Sequence, residues 1–531
     1  MSTTPAETSP TPPTRPLWFW GEIALIVAIF YVSSAAPPPG VNEPHYLCRL
    51  RHALEPQYCP NDLFLESPDA HYTFVLAFAW MTQVMSFTAA AWVGRLACWF
   101  ALSWAWLRLS WTVVPRPLYA SLAAAIVITA IAEGNFAGEW LVGGFEAKTV
   151  AYVFVVLGLR CWVLNKWNWT WAHLGIASAW HALVGGWSVL ILLKLWGAIY
   201  RFEQSFRGML PGLAIGGIVA LAGVVPALAL SMGASPEVRN EAAEIYVFER
   251  LPHHLAPLHK KPGWITERAG RHAVVATLFV AMLFVRRKEL GGTWRALKDD
   301  PAGRIAQYAV GAAVLAMIGM VIELALWNHP SAAASWLRYY WFRLVDVAVP
   351  MALALLWIAE LRLLLERKDR WATPLLLSTI LLAGYPIAER YTDFLYHPIG
   401  ISDRKARDFD DWMACCEWIE ANTPTDAMFL TPRGNTSFKW YAKRAEVVTY
   451  KDVPQDAEHL VEWRRRLYDV FKPDGDRSQP WISCYGELGA DRVDELAQAY
   501  QVDYILTGLD PPLPYPIVFM TDTYVVYQLH P

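Results

Sequence analysis

The residues best placed to do chemistry come early, in Val41-Asn42-Glu43-Pro44-His45-Tyr46 and, a little further on, Pro60-Asn61-Asp62-Leu63-Phe64. Both stretches follow the first apolar run, so a carboxylate here emerges at a membrane surface. Such a group can serve as general base toward an acceptor hydroxyl, and Glu43 is placed for it. A second carboxylate, Asp62 (or Glu66 or Asp69), could position a cation or the acceptor, and His45 is a candidate substrate contact. The plainer alternative is a solvated loop with ordinary charges.

Cationic candidates follow. Arg250-Leu251-Pro252-His253-His254-Leu255, then His259-Lys260-Lys261, could grip a lipid phosphate. The His pair could instead bind a divalent metal, Mg or Mn, with Glu43 or Asp62, although adjacent His on a strand point to opposite faces. A basic loop resting near lipid headgroups is the other reading. In Arg338-Tyr339-Tyr340-Trp341-Phe342-Arg343-Leu344-Val345-Asp346, an Arg and an Asp at the hydrocarbon edge are costly unless paired or in a cavity. Arg343 is the best single candidate for a lipid donor's phosphate, with Arg338 beside it; its alternative is a local pair with Asp346. Glu133, Asn135, Glu139, Glu146, Lys148 and His181 interrupt apolar stretches and need an account of their own. Glu146 is retained as a further site candidate, against an interfacial ion pair with Lys148. Trp162, Trp167, Trp169 and Trp171 read as an interfacial belt. No CxxC or HExxH spacing occurs.

What positions these residues is a membrane protein. Only 18% of the 531 residues are charged, against roughly 25% in soluble domains, and the deficit is confined to residues 17–390. The net charge of −3 argues against a nucleic-acid partner. Residues 1–16, rich in Pro, Thr and Ser, read as an unfolded tail. A signal peptide cleaved after Ala36 is disfavoured by Pro37 and by the many later runs. Apolar segments long enough for a span, about 20 residues, begin near 17, 73, 95, 117, 149, 172, 209, 271, 305, 342 and 372. The fold class expected is therefore an α-helical polytopic membrane protein of about eleven spans with a C-terminal α/β domain. Basic residues in three short loops (Lys194/Arg201/Arg207; Arg286-Arg287-Lys288 with Arg295 and Lys298; Arg362/Arg367/Lys368/Arg370) share one side with the N-terminus, which makes that side the cytoplasm. Loops 37–72 and 233–270 and the domain 391–531 then face outward, from a plasma or inner membrane. In that domain, helices are expected at 409–419, 456–471 and 491–500. Strands are expected at Ala427–Leu430, Val447–Tyr450, Tyr504–Thr507, Ile517–Met520 and Tyr524–Leu529. It carries neither a Gly-rich phosphate loop nor a nucleophile elbow. Cys48 and Cys59 could pair outside the cell or remain free.

An acidic residue directly after the first helix, a Tyr shortly behind it and a long external loop resemble the GT-C superfamily of membrane glycosyltransferases. The layout looks closest to its bacterial members. The resemblance implies a polyprenyl-phosphate-linked sugar as donor, transfer with inversion on the outer face, and Glu43 as the catalytic carboxylate. Asn42 stands where the pattern more usually has a first acidic residue. The acceptor stays open. The rivals are a lipid or solute transporter and a non-catalytic assembly subunit. Inverted repeats, which would favour the transporter, are not evident.

Overall fold

The computed structural model describes residues 16–259, 262–473 and 478–529. The expected unfolded tail up to residue 15 lies outside the described residues, as do Lys260 and Lys261. Helix α1 (Pro16–Ser33) leads into short helices α2 (Glu43–Leu54), α3 (Leu63–Glu66), α4 (Tyr72–Phe78) and α5 (Met81–Val84). Then come α6 (Phe87–Val113), α7 (Tyr119–Gly134), α8 (Ala147–Val163), α9 (Trp167–Trp180), α10 (Ala182–Leu195) and α11 (Phe206–Ala229). After α12 (Pro236–Glu244) and α13 (Pro252–Leu255) the chain continues with α14 (Pro262–Glu289), α15 (Pro301–Ala325), α16 (Pro330–Leu337), α17 (Val345–Glu366) and α18 (Ala372–Tyr396). Among the described residues, six helices are long and apolar enough to cross a membrane: Ala182–Tyr200, Phe206–Ala229, Thr266–Glu289, Pro301–Ala325, Val345–Glu366 and Ala372–Tyr396. The chain is an integral membrane protein. Within it, α17 is the most enclosed of the six.

The runs expected near 17, 73, 95, 117 and 149 are not among these six, and two of the expected spans differ in form. The apolar run near 73 is not one helix but α4 and α5, together about 20 Å of helix where roughly 30 Å is needed. Phe74 and Phe78 turn it inward, each with its ring 4.9 Å from that of Phe145. Ser86 then starts α6 afresh, its hydroxyl accepting from the Ala89 amide (3.2 Å). Conversely, the run near 172 is two helices. His181 breaks it in an extended conformation (φ −149°, ψ 99°) and caps α10 through its ring.

Helices α9 and α11 pack backbone to backbone. A Cβ on Gly216 would lie 2.3 Å from the Trp171 carbonyl, so only glycine permits the approach. At one end of the bundle the basic loops meet. Arg116 pairs with Glu366 (2.9 Å), Arg367 with Glu289 (2.6 Å), Lys298 with Glu203, and Arg286 with both Asp300 (2.5 Å) and Glu360 (3.0 Å). The opposite end carries loop 135–146, the segment 230–259 and the C-terminal domain.

That domain opens with α19 (Phe409–Asn422) and adds α20 (Phe438–Ala442), α21 (Ala457–Phe471) and α22 (Ala490–Tyr500). Its strands are β1 (Met428–Leu430), β2 (Ala445–Glu446), β3 (Tyr504–Gly508), β4 (Ile517–Met520) and β5 (Tyr524–Gln528), in the order β2-β1-β3-β5-β4. β1 runs parallel to β2 and β3; β5 is antiparallel to β3 and β4. Alternation sends Phe429, Leu506 and Val526 against α19, and Leu430, Ile505 and Val525 against α21 and α22. The expected strand at Val447–Tyr450 falls instead on Ala445–Glu446, where the ladder to Met428 and Phe429 lies.

The domain is latched to the bundle through Lys439. Its ammonium meets Asp62 (3.2 Å), Glu446 (2.7 Å) and Asp452 (2.6 Å), all buried. Asp62 also caps α3, accepting from the amides of Phe64 (3.1 Å) and Leu65 (3.0 Å). His45 faces Asp452 at 3.4 Å and lies against the Phe64 ring. Cys48 and Cys59 are buried and unpaired.

Candidate active site

Loop 135–146, between α7 and α8, is held at both ends by buried carboxylates. At its start, Asp346 from the first turn of α17 accepts the amides of Phe136 (2.6 Å), Ala137 (2.8 Å) and Glu139 (3.2 Å). At its end, the amide of Phe145 donates to Glu43 Oε1 (2.9 Å). Glu43 has no exposed surface, and Arg95 grips it with a two-pronged pair, Nε to Oε1 and Nη2 to Oε2, both 2.6 Å. The Gly40 amide adds a fourth bond at 2.7 Å. His254 reaches the loop too, donating from Nδ1 to the Ala137 carbonyl.

Between those anchors the loop presents two carboxylates. Glu139 pairs with Lys148 (2.9 Å) and with Arg343 (2.5 Å). Glu146 accepts from the Asn42 amide (3.1 Å) and lies 3.7 Å from Lys148. Lys148 rests on the Trp140 ring (3.2 Å), and Arg343 on that of Tyr340 (3.9 Å). Arg343 also donates from Nη1 to His181 Nε2 (3.0 Å), whose ring lies 5.7 Å from that of His71. Burial works to raise Glu139, yet Arg343 and Lys148 hold it below the usual carboxylate range. Burial raises Glu146, and Lys148 and Asn42 only partly offset that. The two carboxylates, on one loop and beside one lysine, are therefore driven apart, as acid–base centres require.

Several expected site residues stand elsewhere. Glu43 is a loop anchor with all four contacts made, so it has no free lone pair to offer a substrate. Asp62 and His45 belong to the latch around Lys439 and Asp452. Arg343 takes Glu139 as its partner, not Asp346. Arg338 lies half-buried against the Tyr339 ring (6.0 Å). His253 packs on His254 with ring centres 4.0 Å apart. Arg250 donates to the Tyr450 carbonyl (3.1 Å) at the rim, where the C-terminal domain meets the cluster. Arg343, Glu146 and, through Ala137, His254 are brought together. Sequence reasoning missed Arg95, whose signal was one of only two charges in an otherwise apolar helix.

The apo oligosaccharyltransferase of Archaeoglobus fulgidus superposes with a TM-score of 0.51 at 13% identity, covering 93% of this chain and 70% of that one. The chain has a GT-C-like fold. Two further structures are similar at lower scores. The same archaeal enzyme with an inhibitory peptide and dolichol phosphate gives 0.47 at 13% identity, covering 92% of this chain and 69% of that one. ArnT from Cupriavidus metallidurans bound to undecaprenyl phosphate gives 0.45 at 16% identity, covering 97% and 98%. A domain-of-unknown-function family, DUF6798, matches residues 410–470. No curated protein matches the sequence.

The cluster around Lys148 does not fit a divalent metal. Lys148 stands between the two carboxylates of the loop, where a cation would have to sit. Among the described residues no group of three His, Cys, Asp or Glu side chains could hold an ion.

Proposed function

We propose that the chain is a membrane glycosyltransferase that moves a sugar from a polyprenyl-phosphate donor to an acceptor at the outer face. The observation that carries this is loop 135–146 of a GT-C-like fold, where Glu139 pairs with Arg343 (2.5 Å) and shares Lys148 with Glu146, a carboxylate raised by burial. Glu146 accepts the proton of the acceptor hydroxyl as that oxygen bonds to the anomeric carbon. The bond from this carbon to the phosphate oxygen breaks, and its electron pair leaves with the polyprenyl phosphate. Arg343, with His253 and His254 behind it, receives that negative charge. Lys148 keeps Glu139 and Glu146 in place by charge, so no step runs through a metal. Direct displacement, hence inversion, belongs to the same proposal.

The surroundings of Arg343 favour an anion. A neutral imidazole offers one donor and one acceptor. His181 receives the Val184 amide at Nδ1 (3.3 Å) and Arg343 at Nε2 (3.0 Å), so it cannot satisfy both. A phosphate oxygen beside them relieves the conflict. Below His181 runs an apolar groove of about 480 Å³ lined by Trp171, Leu183, Gly186, Leu190, Val224 and Tyr339, which suits a polyprenyl chain. A Cβ on Gly186 would meet nothing within 4 Å. Gly186→Trp therefore fills the groove without breaking the bundle, and the donor KM should rise roughly tenfold or more, as mismatched apolar pockets do. An unchanged donor KM would remove the groove from the account.

Orientation is tested separately. The basic loops put residues 286–304 in the cytoplasm, so a reporter active only there, fused after Pro531, should stay silent. A bright signal would place the loop 135–146 on the cytoplasmic face and end the outer-face mechanism. For the reaction itself, purified protein should move radiolabel from polyprenyl-phosphate sugars extracted from membranes into a product that is no longer lipid-phosphate-linked. Label that stays on the donor under all acceptor conditions would speak for a transporter or an assembly subunit.

A further inference from the structure

Four cations crowd the seam between loop 135–146 and the C-terminal domain. Arg250 and Arg433 flank one aromatic ring, their guanidinium carbons 4.6 Å and 5.6 Å from the centre of Tyr450. Arg433 reaches Trp481 as well, at 4.6 Å, and its carbonyl accepts the Tyr450 amide (3.2 Å). Its Nε is buried without a hydrogen-bond partner. Lys451 follows Tyr450 in the chain and feels the charges of Arg250, Glu146, Lys405 and Asp452. Lys405, on the segment that enters the domain, feels Arg250 and Arg433 in turn. Among the described residues, none of the four cations makes an ion pair. The nearby acids are engaged elsewhere: Asp452 with Lys439 at 2.6 Å, and Glu146 with Asn42 and Lys148.

The charge count decides what this means. Glu139 and Glu146 balance Lys148 and Arg343, and the three carboxylates around Lys439 leave two negative charges, so two of the four cations stay uncompensated in the protein. Arg250, Arg433 and Lys451, part-buried and unpaired at Tyr450, are unfavourable together without an anion. The donor's phosphate is assigned to Arg343, so the anion these cations call for is a second group.

We infer that the acceptor is anionic, and that its phosphate or carboxylate docks on Arg250, Lys405, Arg433 and Lys451 so that the neighbouring hydroxyl faces Glu146. The word acceptor rests on the transferase reading; the anion site does not. Burial and the neighbouring cations push the Lys451 ammonium down to about 8, so the site weakens as pH rises through that value.

The test is calorimetric titration of the full chain in phosphatidylcholine nanodiscs with inorganic pyrophosphate and, separately, citrate. At pH 7 at least one probe should bind, and Arg433→Ala and Lys451→Ala should each weaken it roughly tenfold or more, as lost charge-assisted bonds do. Tighter binding of pyrophosphate identifies a phosphate-bearing acceptor, and tighter binding of citrate a carboxylate-bearing one. Raising the pH to 9 should weaken the native chain more than Lys451→Ala. Absence of binding, or equal binding by native chain and both variants, overturns the anion site. Because the titration needs no sugar transfer, an inactive chain that binds through Arg433 and Lys451 keeps the site and sinks only the transferase reading. In the active enzyme the winning probe should raise the acceptor KM and leave the donor KM alone; the reverse pattern gives these cations to the donor.

Discussion

Glu146→Gln should slow sugar transfer by roughly 10²–10⁴-fold, the usual contribution of a general base. The substitution keeps the side chain's shape and its acceptor oxygen for the Asn42 amide, and it loses the basicity. Lys148 retains Glu139 at 2.9 Å, so the cluster does not lose its main ion pair. Folded protein, measured by size exclusion in detergent, should be recovered at the native yield. The native enzyme should also have a distinctive acid limb. Glu146 must be ionised to act, and burial has raised it above an ordinary carboxylate. Its rate should therefore begin to fall at a higher pH than an exposed glutamate would dictate. A variant that transfers at the native rate would take the reaction away from this residue.

The second large effect falls on stability. Arg95→Met leaves the Glu43 carboxylate buried and unpaired, which should cost about 3–5 kcal/mol. Arg95 is 3% exposed and Glu43 not at all, so water cannot replace the lost partner. Thermal unfolding should drop for Arg95→Met and for Glu43→Gln alike, and the double variant should recover part of the loss. Per folded molecule, Glu43→Gln should lose far less activity than Glu146→Gln. A stable Glu43→Gln protein with no transfer would return the catalytic role to Glu43, as the sequence pattern alone had it.

The contrast between those two glutamates shows what was legible in the sequence. The position directly after the first helix does lie against loop 135–146. It could not show that the Glu43 side chain turns back to Arg95, 52 residues away, and that Asn42 is the residue facing Glu146. The departure at Asn42 then has a physical reason, since a carboxylate there would repel Glu146. The membrane class was plain from apolar runs, which declare themselves by length. The run near 73 was misread because Ala79-Trp80-Met81 contains no Gly or Pro; packing on Phe145 imposes the break. The break at His181 had only one sign, a polar ring in an apolar stretch. Most strands of the C-terminal domain were legible from alternation, whereas β2 has only two residues and is defined by its partner. Lys439 was invisible, because its three carboxylates come from separate segments.

The most direct measurement is the position of the phosphate in a structure of the full chain with undecaprenyl phosphate, in nanodiscs. The account predicts the phosphate within hydrogen-bonding reach of Arg343, on the side of loop 135–146 that carries Glu146, with the lipid chain in the groove past Gly186. A phosphate seated at the opposite end of the bundle, among Arg116, Arg286 and Arg367, would contradict it.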